Sequence, residues 1–229
     1  MTHYLFATNR SWNVEIFSSW RNRLPGTWQI CITNDDLAAL VQLAKPRFVF
    51  FPHWSHIVPG SILDHNECVC FHMTDLPFGR GGSPLQNLIS RGYQETQLTA
   101  LRMTSEIDSG PVYLKHRLDL SGTAEEIFRR AAVLSMRMIE QIVLHEPKPI
   151  PQIGEPVFFK RRTPEQSRLP EQGSLADLFD HIRMLDAPGY PHAFLRHGKW
   201  TGTITDAKLQ EDTVEARIRF KHSDLKDLK

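Results

Sequence analysis

His72 closes the short apolar run Glu67-Cys-Val-Cys-Phe-His72 and opens a polar, turn-rich stretch, Met73-Thr-Asp-Leu-Pro-Phe-Gly-Arg-Gly-Gly-Ser-Pro-Leu-Gln86. Asp108 follows thirty-six residues later, in Ser105-Glu-Ile-Asp-Ser-Gly110. An imidazole with an ordinary pKa of about 6.5 can carry a proton near neutrality, and a neighbouring carboxylate favours its charged form. Brought together, the two would hold or move a proton. Either residue alone says little, because strand-end histidines are more often structural and Asp-Ser-Gly is also an ordinary turn. His65, Cys68, Cys70 and His72 also invite a metal reading. Alternate residues on a strand share a face about 6.6 Å apart, so two can grip an ion but three in a row reach poorly around one. No second Cys/His cluster closes such a site, so no metal is expected and the cysteines read as small buried hydrophobes.

The pair needs a scaffold that returns a later loop to a strand end. The 229 residues, 41% apolar and 23% charged, fit one compact domain with a sizeable appendage, or one medium domain plus a small one. Tyr4–Thr8, Gln29–Thr33, Arg47–Phe51 and Glu67–His72 read as strands, and Trp12–Trp20 as a helix. In a second helix Leu37, Leu40, Val41 and Ala44 share one face, with Asn34 as the expected cap and Pro46 as the stop. A helix over Ser83–Arg91 and extended segments at Gln97–Met103 and Val112–Leu120 follow. This alternation predicts an α/β fold with a Rossmann-like, mostly parallel sheet. Ligands of such sheets bind outside the C-terminal strand ends, which is where His72 falls.

Thr123-Ala-Glu-Glu126 is a capping box that opens a long helix with Ile127, Ala131, Leu134, Met138 and Ile142 as its buried stripe. Glu146-Pro-Lys-Pro-Ile-Pro151 ends the helix and sets the expected boundary between a core over 1–150 and a small mixed α+β appendage over 151–229. In the appendage Ser174 starts a helix with Leu178, Phe179, Ile182 and Leu185 inward. Two β-like stretches follow (Gly198–Ile204 and Val214–Phe220), and the lysine-rich tail from Lys221 is expected to fray. Phe158-Phe-Lys-Arg-Arg162 reads equally as a phosphate-binding element or a solvated basic turn. Arg183, Asp186 and Tyr190 sit in a Pro/Gly-dense segment that reads as part of an acceptor pocket or, more plainly, as a rigid turn.

With 27 basic and 26 acidic side chains, a net charge of +1 exerts no general pull toward DNA or membranes. No run approaches the roughly 18 apolar residues of a membrane span, and the N-terminus lacks a signal-peptide pattern. Three cysteines, Cys31, Cys68 and Cys70, suit reduced thiols, so a cytoplasmic location is expected.

The stretch around His72 resembles the folate-dependent formyltransferase family. That family's pattern is Asn-x-His, a Ser-Leu-Leu-Pro-like turn, Arg-Gly, a Pro opening a helix, and Asp-x-Gly further on. The matching residues are His72, Thr74, Leu76, Pro77, Arg80, Gly81, Pro84, Asp108 and Gly110. Phe51-Pro-His-Trp-Ser-His-Ile-Val-Pro59 also resembles the family loop whose backbone receives the pterin ring, and the similarity covers about residues 1–145. The resemblance implies transfer of a formyl group from N10-formyltetrahydrofolate to a primary amine. His72 would serve the oxyanion and proton transfer, while Asp108 would orient His72 and receive the amine proton. It further implies folate contacts at Trp54, Ser55, His56, Ile57, Val58, Thr74, Thr104, Ser105 and Ile107. Acceptor contacts would come from Phe78, Arg80, Gly81, Gly82, Ser83, Lys160, Arg161 and Tyr190.

One position departs from the family: Cys70 stands where the pattern has Asn, and a thiol is a weak donor beside an amide. Losing an oxyanion donor costs about 2.7–4 kcal/mol. Either Ser55, His53 or a backbone amide substitutes, or the enzyme is slow, or the fold persists without the reaction. The short appendage and near-neutral charge favour a small acceptor, a nucleotide-linked amino sugar. The alternatives are a methionyl-tRNA formyltransferase-like enzyme and a catalytically weakened folate-binding relative. The resemblance also implies a homodimer.

Overall fold

The computed structural model of the chain describes residues 1–222. These form two compact units. One comprises Met1–Pro84, Thr96–Leu118 and Arg129–Phe159; the other comprises Leu85–Glu95, Asp119–Phe128 and the chain from Lys160 onward.

The elements run β1 (His3–Ala7), α1 (Ser11–Trp20), β2 (Thr27–Cys31), α2 (Asn34–Ala44), β3 (Phe48–Pro52), α3 (Gly60–Leu63), β4 (Cys68–His72) and β5 (Phe78–Gly81). Then come α4 (Pro84–Ile89), β6 (Glu95–Arg102), β7 (Val112–Asp119), α5 (Ala124–His145) and β8 (Val157–Phe159). Six strands form one sheet in the order β2-β1-β3-β4-β6-β7. The pairs β1–β2, β1–β3 and β3–β4 are parallel, while β4 and β6 are antiparallel. This α/β sheet is parallel through its first four strands and mixed beyond β4.

Period-two alternation explains why the sheet is buried on both faces. Tyr4, Phe6, Phe48 and Phe50 share one face, with Trp28 stacked on Tyr4 at 4.7 Å and Phe17 of α1 on Phe6 at 4.2 Å. Leu5, Ala7, Val49, Phe51 and Cys68 share the other, packed with Leu37 of α2 and Ile62 of α3. Cys70 and Trp54 pack against that second cluster. All five residues of β3 are buried.

Thr33, not Asn34, caps α2: its backbone is extended and its hydroxyl accepts from the Asp36 amide at 3.1 Å. Asn34 is already helical, and its amide donates to the Ile57 carbonyl at 3.3 Å. The capping box at Thr123 forms, with the Thr123 amide donating to Glu126 at 2.8 Å. Along α5, Ile127, Ala131, Met138 and Ile142 are buried. Leu134 is only half-buried, because the stripe drifts to Ser135 and Ile139 as a 3.6-residue period requires.

In the second unit, Ser174 caps α6 (Leu175–Arg183) with a reciprocal Ser174–Asp177 pair. A three-stranded antiparallel sheet follows: β9 (Ala193–His197), β10 (Trp200–Leu209) and β11 (Val214–His222), in the order β11-β10-β9. Lys221 and His222, expected to fray, pair with Thr201 and Trp200; the rest of that tail lies outside the described residues. Arg183 is buried and donates to the Leu120 and Gly122 carbonyls at 2.6 and 2.9 Å. The Asp186 carboxylate accepts from the Asp206 amide at 2.8 Å, which suits the rigid-turn reading of this segment. Among the described residues, no helix is long and apolar enough to cross a membrane.

Candidate active site

β4 delivers His72 at its C-terminal end, on the face that carries Cys70 and Cys68. The turn after it doubles back into β5, and the His72 Nε2 lies 2.8 Å from the Gly79 carbonyl oxygen. A carbonyl only accepts, so Nε2 carries the hydrogen and Nδ1 is left facing the other way. Gly79 is required for this approach. Its φ is +79°, and a Cβ there would come within 2.6 Å of the Thr74 methyl and 2.9 Å of the Phe159 ring.

Nδ1 faces the Asp108 carboxylate, with Oδ2 at 3.5 Å; His72 is buried and Asp108 largely so, its side chain 14% exposed. The same Oδ2 accepts from the Gly81 amide at 2.9 Å. Asp108 itself has φ +53°, a left-handed conformation that aspartate and asparagine tolerate better than other non-glycine residues. Two residues on, Gly110 passes so close to the Arg102 carbonyl oxygen that any Cβ would collide with it. The Asp-x-Gly spacing thus has a physical origin. The glycine lets the loop press against β6, and the aspartate's turn aims its carboxylate at the strand end.

Gln152 joins this constellation, a residue that sequence reasoning missed. Its Oε1 accepts from Arg80 Nε and Nη2 at 3.2 and 2.8 Å. Its Nε2 donates to the Asp108 and Gly110 carbonyls, each at 2.8 Å. The Arg80 guanidinium, expected to meet substrate, is turned to Gln152, with Glu106 3.8 Å away. Gly82 donates to the Phe159 carbonyl at 3.1 Å, Phe78 meets the Phe159 ring edge-on at 5.3 Å, and Ser83 takes φ +51° just before α4.

Cys70 is half-buried between Phe51 of β3 and Leu101 of β6. Burial, and after it the Asp108 charge, push its thiol well above the ordinary range. It therefore stays S–H. The candidate stand-ins point elsewhere: His53 packs edge-on against Trp12 at 5.6 Å, and Ser55 takes a hydrogen bond from Asn9 at 2.6 Å. Burial and Arg10 lower the His53 pKa to about 3, so its ring is neutral.

The loop after β3 holds the other expected cluster. Asn9 Nδ2 lies 2.6 Å from Ser55 Oγ and 3.2 Å from His56 Nε2, and Asn34 holds the Ile57 carbonyl. Trp54 sits edge-on to Phe51 and His56 at 5.8 and 5.3 Å. Around this loop the Trp54 indole N–H and the Asn9 and Asn34 Oδ1 atoms are buried without a hydrogen-bond partner among the described residues. Val58 is buried and Ile57 is 88% exposed. Thr74 is buried against Gly79. Thr104 bonds to its own loop at Glu106 and Ser109, while Ser105 and Ile107 are exposed. In the second unit Lys160 and Arg161 are exposed and Tyr190 stacks on Phe128 at 5.0 Å.

Residues 164–221 match the family described as methionyl-tRNA formyltransferase, C-terminal domain. The chain is 40% identical to the solved methionyl-tRNA formyltransferase from Clostridium thermocellum, covering 97% of this chain and 100% of that one at a TM-score of 0.94. It is 28% identical over 176 residues to the methionyl-tRNA formyltransferase of Wolinella succinogenes, covering 74% of this chain and 54% of that one. The chain thus spans little more than half the length of the curated relatives it matches. Its fold is also that of HypX from Aquifex aeolicus, solved in complex with tetrahydrofolic acid, at a TM-score of 0.72 and 18% identity over 89% of this chain and 37% of that one. From the likeness at 40% identity over the whole of the solved relative, the chain belongs to the folate-dependent formyltransferase family.

Proposed function

We propose that the chain is a cytoplasmic enzyme that moves a formyl group from N10-formyltetrahydrofolate to the α-amino group of methionyl-tRNA. One observation carries the choice of acceptor: the 40% identity across the whole of a solved chain named methionyl-tRNA formyltransferase. The match of residues 164–221 to that enzyme's C-terminal domain points the same way. The sugar acceptor expected from the short appendage has no comparable support. In this reading residues 1–150, with Gln152 just beyond them, hold donor and chemistry, and the rest of 151–229 takes the acceptor and joins two copies.

The donor's pterin ring would lie against Trp54–Val58. A flat heterocycle with ring N–H groups and a carbonyl suits one orphaned donor and two orphaned acceptors, the Trp54 N–H and the Asn9 and Asn34 oxygens. In the reaction the amine adds to the formyl carbon, giving a tetrahedral oxyanion; the C–N10 bond then breaks and N10 leaves with a proton. The His72 Nδ1 and Asp108 Oδ2, 3.5 Å apart, form one place to hold the proton lost by the amine before N10 takes it up. With a proton on it, Nδ1 is also a donor toward the oxyanion. The Cys70 S–H contributes a weaker one.

The test is mass-spectrometric turnover of N10-formyltetrahydrofolate with methionyl-tRNA beside a panel of nucleotide-linked amino sugars. Formyl-methionyl-tRNA as the main product is expected. Formylated sugar with unmodified tRNA would return the acceptor to the sugar class, and no product with folate still bound would mark a weakened relative.

A further inference from the structure

We infer that Gln152 is a positioning residue for this chemistry: its carboxamide holds Asp108 in the conformation that faces His72. The inference rests on the proposed formyl transfer for its kinetic arm only.

A primary carboxamide has two N–H donors and an oxygen with two lone pairs. Gln152 uses all four. Both donors go to backbone carbonyls of the acidic loop, those of Asp108 and Gly110, at 2.8 Å each. Both lone pairs face one guanidinium, that of Arg80, at 2.8 and 3.2 Å. The amide cannot be reversed, because its oxygen would then face two carbonyl oxygens and its NH2 a cation. Arg80 belongs to β5, between the Gly79 carbonyl that holds His72 Nε2 and the Gly81 amide that holds Asp108 Oδ2. One side chain therefore ties the loop of the carboxylate to the strand that grips both members of the pair.

Aspartate tolerates the left-handed region better than most residues, so φ +53° needs little forcing; what Gln152 adds is a fixed position for the turn, because it binds the carbonyl of that very residue. Gln152 is itself fixed. Ile150 exchanges both backbone hydrogen bonds with Val112 at 2.7 and 2.8 Å, prolines 147, 149 and 151 stiffen the approach, and β8 pairs with β5 beyond it.

Two substitutions in the full chain separate the parts of the clamp. Gln152→Met keeps length and volume but removes all four bonds. Gln152→Glu keeps the Arg80 contact, with added charge, and loses both donors to the loop. Each is made in the parent and in Asp108→Asn. The readouts are turnover with methionyl-tRNA and the amide proton shift of Gly81, which reports the Asp108 carboxylate and needs no acceptor. Both variants should lose about a hundredfold in kcat with KM for the folate little changed. The Gly81 resonance should move toward its position in Asp108→Asn, and in that background Gln152→Met should add no more than about twofold. Full activity in Gln152→Glu would show that bridging to Arg80 suffices, and would overturn the assignment. So would an unmoved Gly81 resonance, or a Gln152→Met loss that multiplies undiminished onto Asp108→Asn. Should the parent formylate no acceptor, the proposed function fails while the Gly81 shift still decides the clamp.

Discussion

Two regions at the C-terminal strand ends treat their polar groups in opposite ways. Around His72 most of them have partners: the imidazole Nε2 donates to the Gly79 carbonyl, Asp108 takes the Gly81 amide, and Gln152 bonds to Arg80 and to two carbonyls of the acidic loop. Around Trp54 three buried polar atoms have no partner among the described residues. A buried unsatisfied polar group costs roughly 1–3 kcal/mol, so folding alone would not select the second arrangement. Under the proposed function, the difference separates a reaction centre set before substrate arrives from a donor loop that a ligand completes. Catalytic groups gain from being rigid in advance, because no reorganisation is then needed at the moment of reaction.

The hardest way to break the first region is to remove the pair proposed to handle the proton. His72→Ala and Asp108→Asn should each lower formyl transfer by about 10²–10⁴-fold. Folate binding, followed by fluorescence titration, should change little, because neither side chain belongs to the Trp54 loop. Near-normal turnover in either variant would remove the pair from the chemistry. Gly79→Ala should come next. A Cβ at φ +79° meets Thr74 and Phe159, so the Gly79 carbonyl must move off His72. Turnover should fall roughly tenfold to a hundredfold, with about 1–3 kcal/mol of stability lost in thermal unfolding. Unchanged kinetics would mean that the carbonyl does not hold the imidazole.

The same contrast shows what the sequence could reveal. His72 and Asp108 were legible because their types and the turn chemistry between them are side-chain facts, and the strand alternation that places Cys70 beside His72 is simple periodicity. The groups that fix the pair were not. The Gly79 carbonyl and the Gly81 amide are backbone atoms, which every residue has. Gln152 lies just past a proline run that reads as a boundary, and the Ile150–Val112 bridge and the pairing of β8 with β5 return it to the site. The helix cap was misplaced by one residue because Thr33 and Asn34 are both good caps and only backbone angles choose between them. The strand β9 was missed because Ala193–His197 is short and lies between a proline and a glycine.

Trp54→Phe sharpens the second region, because it should weaken folate binding more than it alters folding. A six-membered aromatic ring is kept while the five-membered ring and its unpartnered buried N–H are lost. Relief of the orphaned donor and loss of packing oppose each other, so thermal stability should change by less than about 1 kcal/mol. Folate affinity should fall by about tenfold, since a hydrogen bond of about 1 kcal/mol or more is lost with the ligand in place. A variant that is less stable and binds folate unchanged would show that the indole N–H serves packing instead.

Cys70 should give the smallest effect, and it joins the two regions, packing with the Trp54 cluster while sensing the Asp108 charge. Its thiol is pushed up, so at neutral and mildly alkaline pH the reactive thiolate is scarce. Iodoacetamide should label Cys70 slowly through pH 8, and in Asp108→Asn, with one negative charge removed, labelling should speed up at the same pH. Cys70→Ala should cost no more than a few-fold in turnover, because S–H is a weak donor. Cys70→Asn restores the family residue and should raise turnover above the parent. If instead Cys70→Ala abolished turnover while Cys70→Asn failed to restore it, the thiol would be acting by a route other than weak donation, and rapid labelling at neutral pH would identify it as a thiolate.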